Sequence, residues 1–591
     1  MIGALARSAM MALVLAAAAT GAVATGAAAQ QASDVVAPEG ASGVAAKEPV
    51  HAAKHMVVAA NPLAAQAGLD ALRAGGTAAD ALVAVQAMLG LVEPQSSGLG
   101  GGAFLVWYDA AAGTVTTFDG RETAPAAATG TLFLDATGKP LDFFDAVIGG
   151  RSVGVPGVPR LLATVHARFG KRPMAELLEP AAALAERGFA VSPRLAAMLA
   201  EEAERFETGS AARGYFFDAG GAPRPAGALL RNPDYAATLR LLAKDGADAF
   251  YKGPLAEAIV AAVRGHAKNP GQLSAADLAT YAVKEREPVC APYRGHEVCG
   301  MGPPSSGAIA IGQILGMVEP FPLRGLGSDD PVAWRVIGDA TRLAFADRGR
   351  YVADTDFVRI PAGLLDRNYL AGRSALIRRP TALPPDAVTA GEPPWDKAEL
   401  RIDGVSLEIP STSHVTIVDD AGNIAAMTTS VENAFGSRLM VAGFLLNNQL
   451  TDFAFAPEED GAAVANRVEA GKRPRSSMSP TIVLKDGKPI YALGSPGGSQ
   501  IIPFVANALI GLIDWDMDIQ AAVSMPHLTN RFGTYDLEEG TTAASMAADL
   551  EALGYKTAVR ELNSGLHGIA IGPDGLTGGA DPRREGVALG D

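Results

Sequence analysis

Two apolar runs joined by a tight turn constrain the fold of this chain more than any other stretch. Residues 414–418 alternate as a β-strand does, residues 419–423 (DDAGN) are typical turn residues, and a second run covers residues 424–430. The stretch therefore predicts a β-hairpin. Thr412 lies just before its first strand. If the bond between Ser411 and Thr412 were cut, one residue would carry both a hydroxyl nucleophile and a free α-amine as its base.

The patterns around this hairpin predict a mixed fold. Residues 62–75 carry apolar side chains at helical spacing, and residues 150–290 are mainly helical in pattern. After the hairpin, strand-like runs recur at 443–447, 481–484 and 490–493, and helical patterns return at 504–513 and 546–553. Strands in the centre with helices before and after predict an α+β fold in which stacked sheets lie between helices.

The N-terminus and the overall charge indicate where the protein acts. Arg7, an apolar stretch at 10–19 and the small residues 27–29 predict a cleaved signal peptide over residues 1–29, and therefore a periplasmic or secreted protein. Residues 30–50 are predicted to be a flexible linker. A net charge of −15 argues against nucleic-acid binding and against attraction to anionic membranes. No later apolar run reaches the roughly 18 residues of a spanning helix, so no stable membrane insertion is expected.

The chain has two cysteines, Cys290 and Cys299, which flank a predicted turn. Exported proteins can retain disulfides, so a bridge across this hairpin is expected, with two unpaired thiols as the alternative. Neither cysteine belongs to a CxxC motif, which disfavours zinc binding and redox catalysis.

A glycine-rich stretch at residues 98–102 precedes a predicted strand at 103–108. A dinucleotide-binding motif requires the opposite order, with a strand before the glycines and a helix after them. The stretch therefore predicts either close backbone packing or a loop that faces the substrate. HExxH, GxxxxGK[ST] and GxSxG motifs are absent from the sequence.

Several polar residues at strand ends have the chemistry of an active site. Acidic and amide side chains could surround an ammonium group, an arginine and two adjacent hydroxyls could bind a carboxylate, and paired glycines could direct two backbone N–H groups at one oxygen. Taken singly, each is better explained as a turn residue or a solvated side chain. In that order, the residues are Glu432, Gln449 and Asp452; Arg121, Ser476 and Ser477; and Gly497 and Gly498.

Longer motifs together resemble the gamma-glutamyltranspeptidase family. TSHVTIV followed by TTSVENAFG, then LLNNQLTDF, GKRPRSSMSPTIV and GSPGGSQII, are similar to motifs of that family's small subunit. DGRETAPAAAT is similar to its large-subunit arginine motif. The resemblance runs from about His51 to residues 579–583, which is nearly the whole mature chain.

This resemblance implies a four-layer αββα sandwich of the N-terminal nucleophile hydrolase type. It implies that the precursor cuts itself between Ser411 and Thr412, leaving a large subunit (51–411) and a small subunit (412–591) together as a heterodimer. Thr412 would then attack the γ-glutamyl amide of glutathione or a related compound, with its own α-amine as base. Water, an amino acid or a dipeptide would accept the glutamyl group. The resemblance implies no metal and no organic cofactor.

The resemblance also assigns roles to the candidate residues. Ser430 provides a hydroxyl beside the nucleophile, and Gly497 and Gly498 form the oxyanion hole. The donor's two charged groups are divided between two sets. The α-carboxylate is assigned to Arg121, Ser476 and Ser477, and the α-amine to Glu432, Gln449 and Asp452.

Three departures from the family pattern concern the site. Ser430 stands where threonine is usual, Glu432 stands where many members have asparagine, and the stretch from Asp452 to Ser476 is shorter than in relatives with a developed lid. The acceptor preference and the ratio of hydrolysis to transfer therefore stay open. Two other functions are alternatives: an acylase that removes glutaryl-type groups from β-lactam side chains, and a processed but inactive binding protein. Since a glutaryl group has no α-amine, Glu432 and Asp452 favour the glutamyl donor.

Overall fold

The structure is a computed structural model that describes residues 43–395, 402–404 and 411–591. The predicted signal peptide and the first part of the predicted linker lie outside these residues. The end of the linker packs against the C-terminal part of the chain. The backbone N–H of Ala45 donates to the carbonyl of Pro582 at 2.9 Å, and the first strand begins at Val50.

Two seven-stranded sheets form the centre of the molecule. In chain order the described strands are β1 (Val50–Ala52), β2 (Met56–Ala59), β3 (Gly102–Asp109), β4 (Thr114–Gly120), β5 (Phe189–Ala190), β6 (Leu229–Leu230), β7 (Lys284–Arg286), β8 (Val289–Tyr293), β9 (His296–Gly300), β10 (Thr412–Val418), β11 (Ile424–Ser430), β12 (Met440–Val441), β13 (Phe444–Leu445), β14 (Glu458–Glu459), β15 (Ala462–Ala463), β16 (Thr481–Lys485), β17 (Lys488–Gly494), β18 (Leu528–Thr529), β19 (Thr534–Glu538), β20 (Lys556–Arg560), β21 (His567–Gly572), β22 (Gly575–Ala580) and β23 (Val587–Gly590). One sheet has the order β1-β22-β21-β17-β16-β9-β8 and the other β23-β2-β10-β11-β3-β4-β7.

Helices cover the outer face of each sheet. Against the sheet that contains β10 lie Pro62–Arg73, Ala78–Val92, Val158–Phe169, Met174–Arg187, Pro193–Glu201, Ala211–Phe216, Pro233–Asp245, Asp248–Tyr251, Pro254–Gly265 and Ala275–Thr280. Against the other sheet lie Gly307–Val318, Leu323–Leu326, Pro331–Tyr351, Arg367–Leu376, Ile501–Ile513, Ile519–Ser524, Thr542–Ser545 and Ala547–Ala552. A short helix, Phe143–Val147, contributes Ala146 to a smaller apolar cluster.

Three apolar cores separate these four layers. Met56, Val106 and Ile482 belong to the core between the two sheets. Val415 belongs to the core under the first helix layer, and Val483 to the core under the second. Burial of apolar area on both faces of each sheet is the main force that stabilises such a stack. The predicted αββα sandwich is therefore confirmed.

The predicted hairpin after Ser411 is the antiparallel pair β10–β11. It lies in the middle of its sheet between β2 and β3, and all residues of both strands are buried. Its register pairs Thr412, at the start of β10, with Ser430, at the end of β11. The turn and the strand alternation thus place the two candidate hydroxyls side by side at one end of two central strands.

Two local predictions are correct only in part. The strand expected at 443–447 is only Phe444–Leu445, and the helix expected at 546–553 covers Ala547–Ala552 and follows a separate short helix, Thr542–Ser545. The strands predicted at 481–484 and 490–493 are β16 and β17, and the turn between them has both Asp486 and Gly487 at positive φ (51° and 75°).

The predicted disulfide is confirmed. Cys290 and Cys299 face each other in the β8–β9 hairpin and are bonded. No helix within the described ranges is long and apolar enough to cross a membrane.

Candidate active site

A small open cavity lies where β10 begins and β11 ends. It is lined by Thr412, Ser430, Glu432, Gln449, Asp452, Ser476, Ser477, Met478, Gly498 and Ile501. Eight of these are residues that the sequence singled out, although they come from five separate stretches of the chain. Arg121 and Gly497 are not among the lining residues.

A chain of hydroxyl hydrogen bonds connects Thr412 to the peptide bond before it. The Thr412 hydroxyl donates to Ser430 Oγ at 3.2 Å, and Ser430 Oγ donates to the carbonyl oxygen of Ser411 at 2.8 Å. The backbone N–H of Glu432 donates to Ser430 Oγ at 2.8 Å and fixes its position. Ser430 therefore touches both the candidate nucleophile and the oxygen on which charge would develop during cleavage.

Both sides of the Ser411–Thr412 bond are held by distant residues. The Ser411 hydroxyl donates to the carbonyl of Gln95 at 2.7 Å. Arg584, near the C-terminus, donates from Nη1 to the carbonyl of Thr412 at 3.0 Å. Because the residues on both sides of the bond are buried and bonded, the backbone around it has little freedom to move.

An acidic wall lies next to these hydroxyls. The Glu432 side chain hydrogen-bonds Asp452 and accepts from Asn448 Nδ2 at 2.6 Å. Burial, followed by the neighbouring Asp452 carboxylate, raises the pKa of Glu432 well above its ordinary value. The amide nitrogen of Gln449 donates to Asp452 at 3.2 Å. Its buried amide oxygen has no hydrogen-bond partner among the residues that the structure describes. This wall offers acceptor oxygens and negative charge.

Arg121 lies behind the acidic wall and is fully buried. Its Nη2 forms an ion pair with Asp452 and donates to the carbonyl of Arg475 at 3.0 Å, and its Nε donates to the carbonyl of Pro474 at 3.2 Å. Among the described residues, its Nη1 has no hydrogen-bond partner and lies 3.8 Å from Glu122 Oε2. In this arrangement Arg121 orients Asp452 and the backbone just before Ser476.

The two adjacent serines are held by a second arginine. Arg348 donates from Nη2 to Ser477 Oγ at 2.8 Å and from Nε to Ser306 Oγ at 2.7 Å. The Ser306 hydroxyl in turn donates to the carbonyl of Ser476 at 2.7 Å. The serine turn is thus positioned by residues more than a hundred positions upstream, with hydroxyls at the cavity wall.

The glycine pairs at 497–498 and 100–101 are required for different structural reasons. Gly497 and Gly498 have φ values of 133° and 55°, and a Cβ on Gly497 would lie 2.9 Å from the Phe504 ring. Glycine adopts positive φ values without strain, which explains glycine at both positions. By contrast, a Cβ on Gly100 or Gly101 would lie 2.0 or 2.1 Å from a backbone carbonyl. Close packing therefore explains that stretch.

Sequence reasoning did not assign a role to Asn448, Arg584, Arg348 or Gln95, which contact the site or hold its backbone. Asn448 lies inside the LLNNQLTDF motif and Arg584 directly follows the stretch 579–583, but neither position reveals its partner. Arg348 and Gln95 lie in the large N-terminal part of the chain, and no local pattern connects either to Thr412.

Comparison with known proteins agrees with this fold. Residues 64–591 match the Gamma-glutamyltranspeptidase family. The chain is 36% identical over 548 residues to the glutathione hydrolase proenzyme of Bacillus subtilis strain 168, covering 90% of this chain and 91% of that protein. It is 37% identical over 558 residues to the acylase ACY 1 proenzyme of Pseudomonas sp. strain SE83, covering 92% and 94%.

Among solved structures, a cephalosporin acylase from Bacillus halodurans superposes with a TM-score of 0.80 at 28% identity, covering 93% of this chain and 97% of that one. Fold and site together define an enzyme of the N-terminal nucleophile hydrolase class. Within that class, the chain belongs to the gamma-glutamyltranspeptidase family, as its motifs predicted.

Proposed function

We propose that this protein is a γ-glutamyl hydrolase and transferase that acts on glutathione and related γ-glutamyl amides through Thr412. The observation that carries the proposal is the acidic wall of Glu432, Asp452 and the Gln449 amide oxygen beside the Thr412 hydroxyl. A γ-glutamyl donor presents an α-ammonium group, and oxygen acceptors with negative charge are the partners that such a group requires.

The enzyme first forms by cutting its own chain. Thr412 Oγ1 attacks the carbonyl carbon of Ser411, its proton passes to Ser430, and the Ser430 proton goes to the former carbonyl oxygen. The C–N bond then breaks as the proton on this oxygen passes to the departing nitrogen and the carbonyl re-forms, which leaves an ester between Ser411 and Thr412. Water hydrolyses the ester and frees the Ser411 carboxylate and the Thr412 α-amine. The two products, residues up to 411 and residues 412–591, stay associated as a heterodimer.

The mature site then repeats this chemistry on the donor. The α-amine of Thr412 accepts the hydroxyl proton as Oγ1 attacks the γ-carbonyl, and the N–H groups of Gly497 and Gly498 stabilise the resulting oxyanion. The leaving amine departs with a proton, and water or an amino acceptor releases the glutamyl group. Ser476 and Ser477 hold the donor's α-carboxylate, and Arg121 supports this side of the site from behind the wall by fixing Asp452 and the backbone before Ser476. The predicted signal peptide places this reaction in the periplasm or outside the cell.

The acylase reading remains the alternative, because relatives of both kinds match the chain. A glutaryl donor would leave Glu432 and Asp452 without a cationic partner in a buried wall. Sites built to bind a polar group reject analogues that lack it by about 10⁴-fold or more.

The test compares a γ-glutamyl anilide with the matching glutaryl anilide, both assayed by release of the aniline. We expect kcat/KM for the γ-glutamyl compound to exceed that for the glutaryl compound by at least a hundredfold, roughly. Asp452→Asn removes the negative charge and nearly keeps the shape of the side chain. It should therefore lower the ratio of the two kcat/KM values. Equal or faster cleavage of the glutaryl compound would favour the acylase.

A further inference from the structure

Lys47 is fixed by three carbonyl groups of a single loop near the C-terminus. Its Nζ donates to the carbonyl oxygens of Asp581, Arg584 and Gly586 at 2.6, 2.7 and 2.5 Å. An ammonium group has three N–H donors, so this loop satisfies all of them. We define the tail loop as residues 581–586.

The tail loop carries the arginine that touches the candidate nucleophile. Arg584 donates from Nη1 to the carbonyl of Thr412 at 3.0 Å and from Nε to Asn563 Oδ1 at 3.1 Å. One of the carbonyls that Lys47 binds is that of Arg584 itself. Lys47 therefore fixes the backbone from which the Arg584 side chain extends to Thr412.

The segment around Lys47 is bound to the tail loop by its backbone as well. Ala45 donates to the carbonyl of Pro582 at 2.9 Å. Within the loop, Asp581 accepts from the backbone N–H groups of Gly565 and Leu566 at 2.7 and 3.0 Å. These bonds hold one end of the loop, and Lys47 joins that end to the part that carries Arg584.

The electrostatic environment suits a retained cation. The carboxylates of Asp581 and Glu585 lie near the ammonium group, which opposes the larger effect of burial. Burial is the larger effect and lowers the pKa of Lys47 below its ordinary value, which means that burying this ammonium group is unfavourable in itself. A lysine used only for solubility would not be held in this way.

We propose that Lys47 is a positioning residue for the nucleophile, which acts through the tail loop and Arg584 to fix the backbone of Thr412. The proposal rests on the proposed function of Thr412. Lys47 lies in the predicted linker just before the large subunit, on the N-terminal side of the proposed cut, whereas Arg584 and Thr412 lie in the predicted small subunit. After cleavage, this contact would therefore be a non-covalent link by which the N-terminal product orders the catalytic residue.

The first test is Lys47→Met, which keeps the length of the side chain and removes the three donors. We expect self-cleavage and kcat to fall about 10-fold or more, because small displacements of reacting groups cost rates of this order. KM for the γ-glutamyl anilide should stay within about twofold, since Lys47 does not line the donor cavity. Lys47→Gln, which keeps two N–H donors, should fall between the wild type and Lys47→Met.

Lys54→Met is the matched control, because Lys54 is exposed and close in sequence. It should leave cleavage, kcat and the melting temperature unchanged. A double-mutant cycle then tests the route of the effect. If Lys47 acts through Arg584, Lys47→Met combined with Arg584→Gln should be no slower than Arg584→Gln alone.

Three results would overturn the proposal: a folded Lys47→Met enzyme with unchanged cleavage and kcat, effects that multiply with those of Arg584→Gln, or loss of the fold in Lys47→Met and Lys47→Gln alike. The last would assign Lys47 a general structural role. Failure of the proposed function is distinguishable, because it would appear in the wild-type enzyme as a chain that is uncut at Thr412.

Discussion

Ser430 donates a 2.8 Å hydrogen bond to the carbonyl oxygen of Ser411 and accepts one from the Thr412 hydroxyl. One small side chain therefore contacts the attacking group and the oxygen that becomes negative as the chain is cut. In the proposed mechanism, the Ser411 carbonyl exists as a peptide carbonyl only before cleavage. The bond to its carbonyl thus belongs to the precursor, and the role of Ser430 in self-cleavage can be measured apart from donor hydrolysis.

Ser430→Ala should slow self-cleavage strongly. Removing one donor to a developing oxyanion typically costs about 10²- to 10³-fold in rate. Ser430→Thr keeps the hydroxyl and is expected to cut at nearly the wild-type rate. A time course of purified precursor on denaturing gels measures both, and a wild-type rate for Ser430→Ala would remove Ser430 from the cleavage mechanism.

Thr412→Ala should abolish both self-cleavage and release of glutamate, because it removes the nucleophile of both reactions. Thr412→Ser is the control that keeps a hydroxyl and should retain part of each activity. Intact mass and N-terminal sequencing should place Thr412 first in the smaller wild-type product. A Thr412→Ala protein that still appears as two chains with this N-terminus would contradict the mechanism.

Arg121→Ala should raise KM for the γ-glutamyl donor far more than it slows self-cleavage. Arg121 orients Asp452 and the backbone before Ser476, so its loss should disturb the wall of the donor cavity. A hydrogen bond to a charged group contributes about 1.5–3 kcal/mol, which corresponds to roughly 10- to 100-fold in KM. Arg121→Lys should restore little, because a lysine cannot form the same fork of bonds. Equal losses in KM and cleavage would indicate a folding role.

The disulfide should stabilise the precursor and the mature enzyme alike. Cys290 and Cys299 close a loop with a sequence separation of 9, for which chain entropy predicts about 2–3 kcal/mol. Cys290→Ala with Cys299→Ala should lower the melting temperature and leave kcat unchanged, since neither cysteine lines the cavity. Thermal unfolding with and without reductant gives the same comparison in the wild type, and an unchanged melting temperature in both would refute a stabilising bridge.

The sequence predicted the elements of this fold better than their contacts. The β10–β11 hairpin follows from alternation and a turn motif, so the Thr412–Ser430 pair could be placed without coordinates. The contacts of Asn448, Arg348 and Lys47 could not, because they join residues far apart in the chain. Hydrophobic periodicity specifies which face of a helix or strand is buried, but it does not specify which distant polar group meets it.

Arg121 is a second case in which the local sequence predicted the chemistry of a residue but not its partner. Its motif predicted a side chain that binds a carboxylate, and the structure gives it Asp452 as a carboxylate partner inside the protein. Whether such an arginine lines a cavity or lies behind it depends on the packing of residues 473–477 against it. That packing is set by the tertiary structure and not by the local sequence.

Glu432 should make donor binding depend on pH. Burial and the Asp452 carboxylate raise its pKa, so the empty site favours a protonated Glu432. An α-ammonium group favours the ionised form, and binding should therefore release a proton. KM for the γ-glutamyl donor should fall as pH rises toward the raised pKa of Glu432. In Glu432→Gln, KM should be higher and this dependence weaker. Calorimetric titration in two buffers of different ionisation heat would measure the released proton, and identical heats would exclude it.

The raised pKa of Glu432 should also make the stability of the fold depend on pH, and here stability should fall as the pH rises. Because the folded state raises the pKa of Glu432, its contribution to stability is complete below the ordinary value of 4.5 and is lost as pH rises from there toward the folded pKa. Glu432→Gln cannot ionise and should escape this loss. Its melting temperature relative to that of the wild type should therefore increase as the pH rises above 4.5. Thermal unfolding at a series of pH values measures this difference in melting temperature. Glu458→Gln, at an exposed position, is the control. A constant offset would mean that Glu432 is ionised in the empty site, with its charge balanced by Arg121.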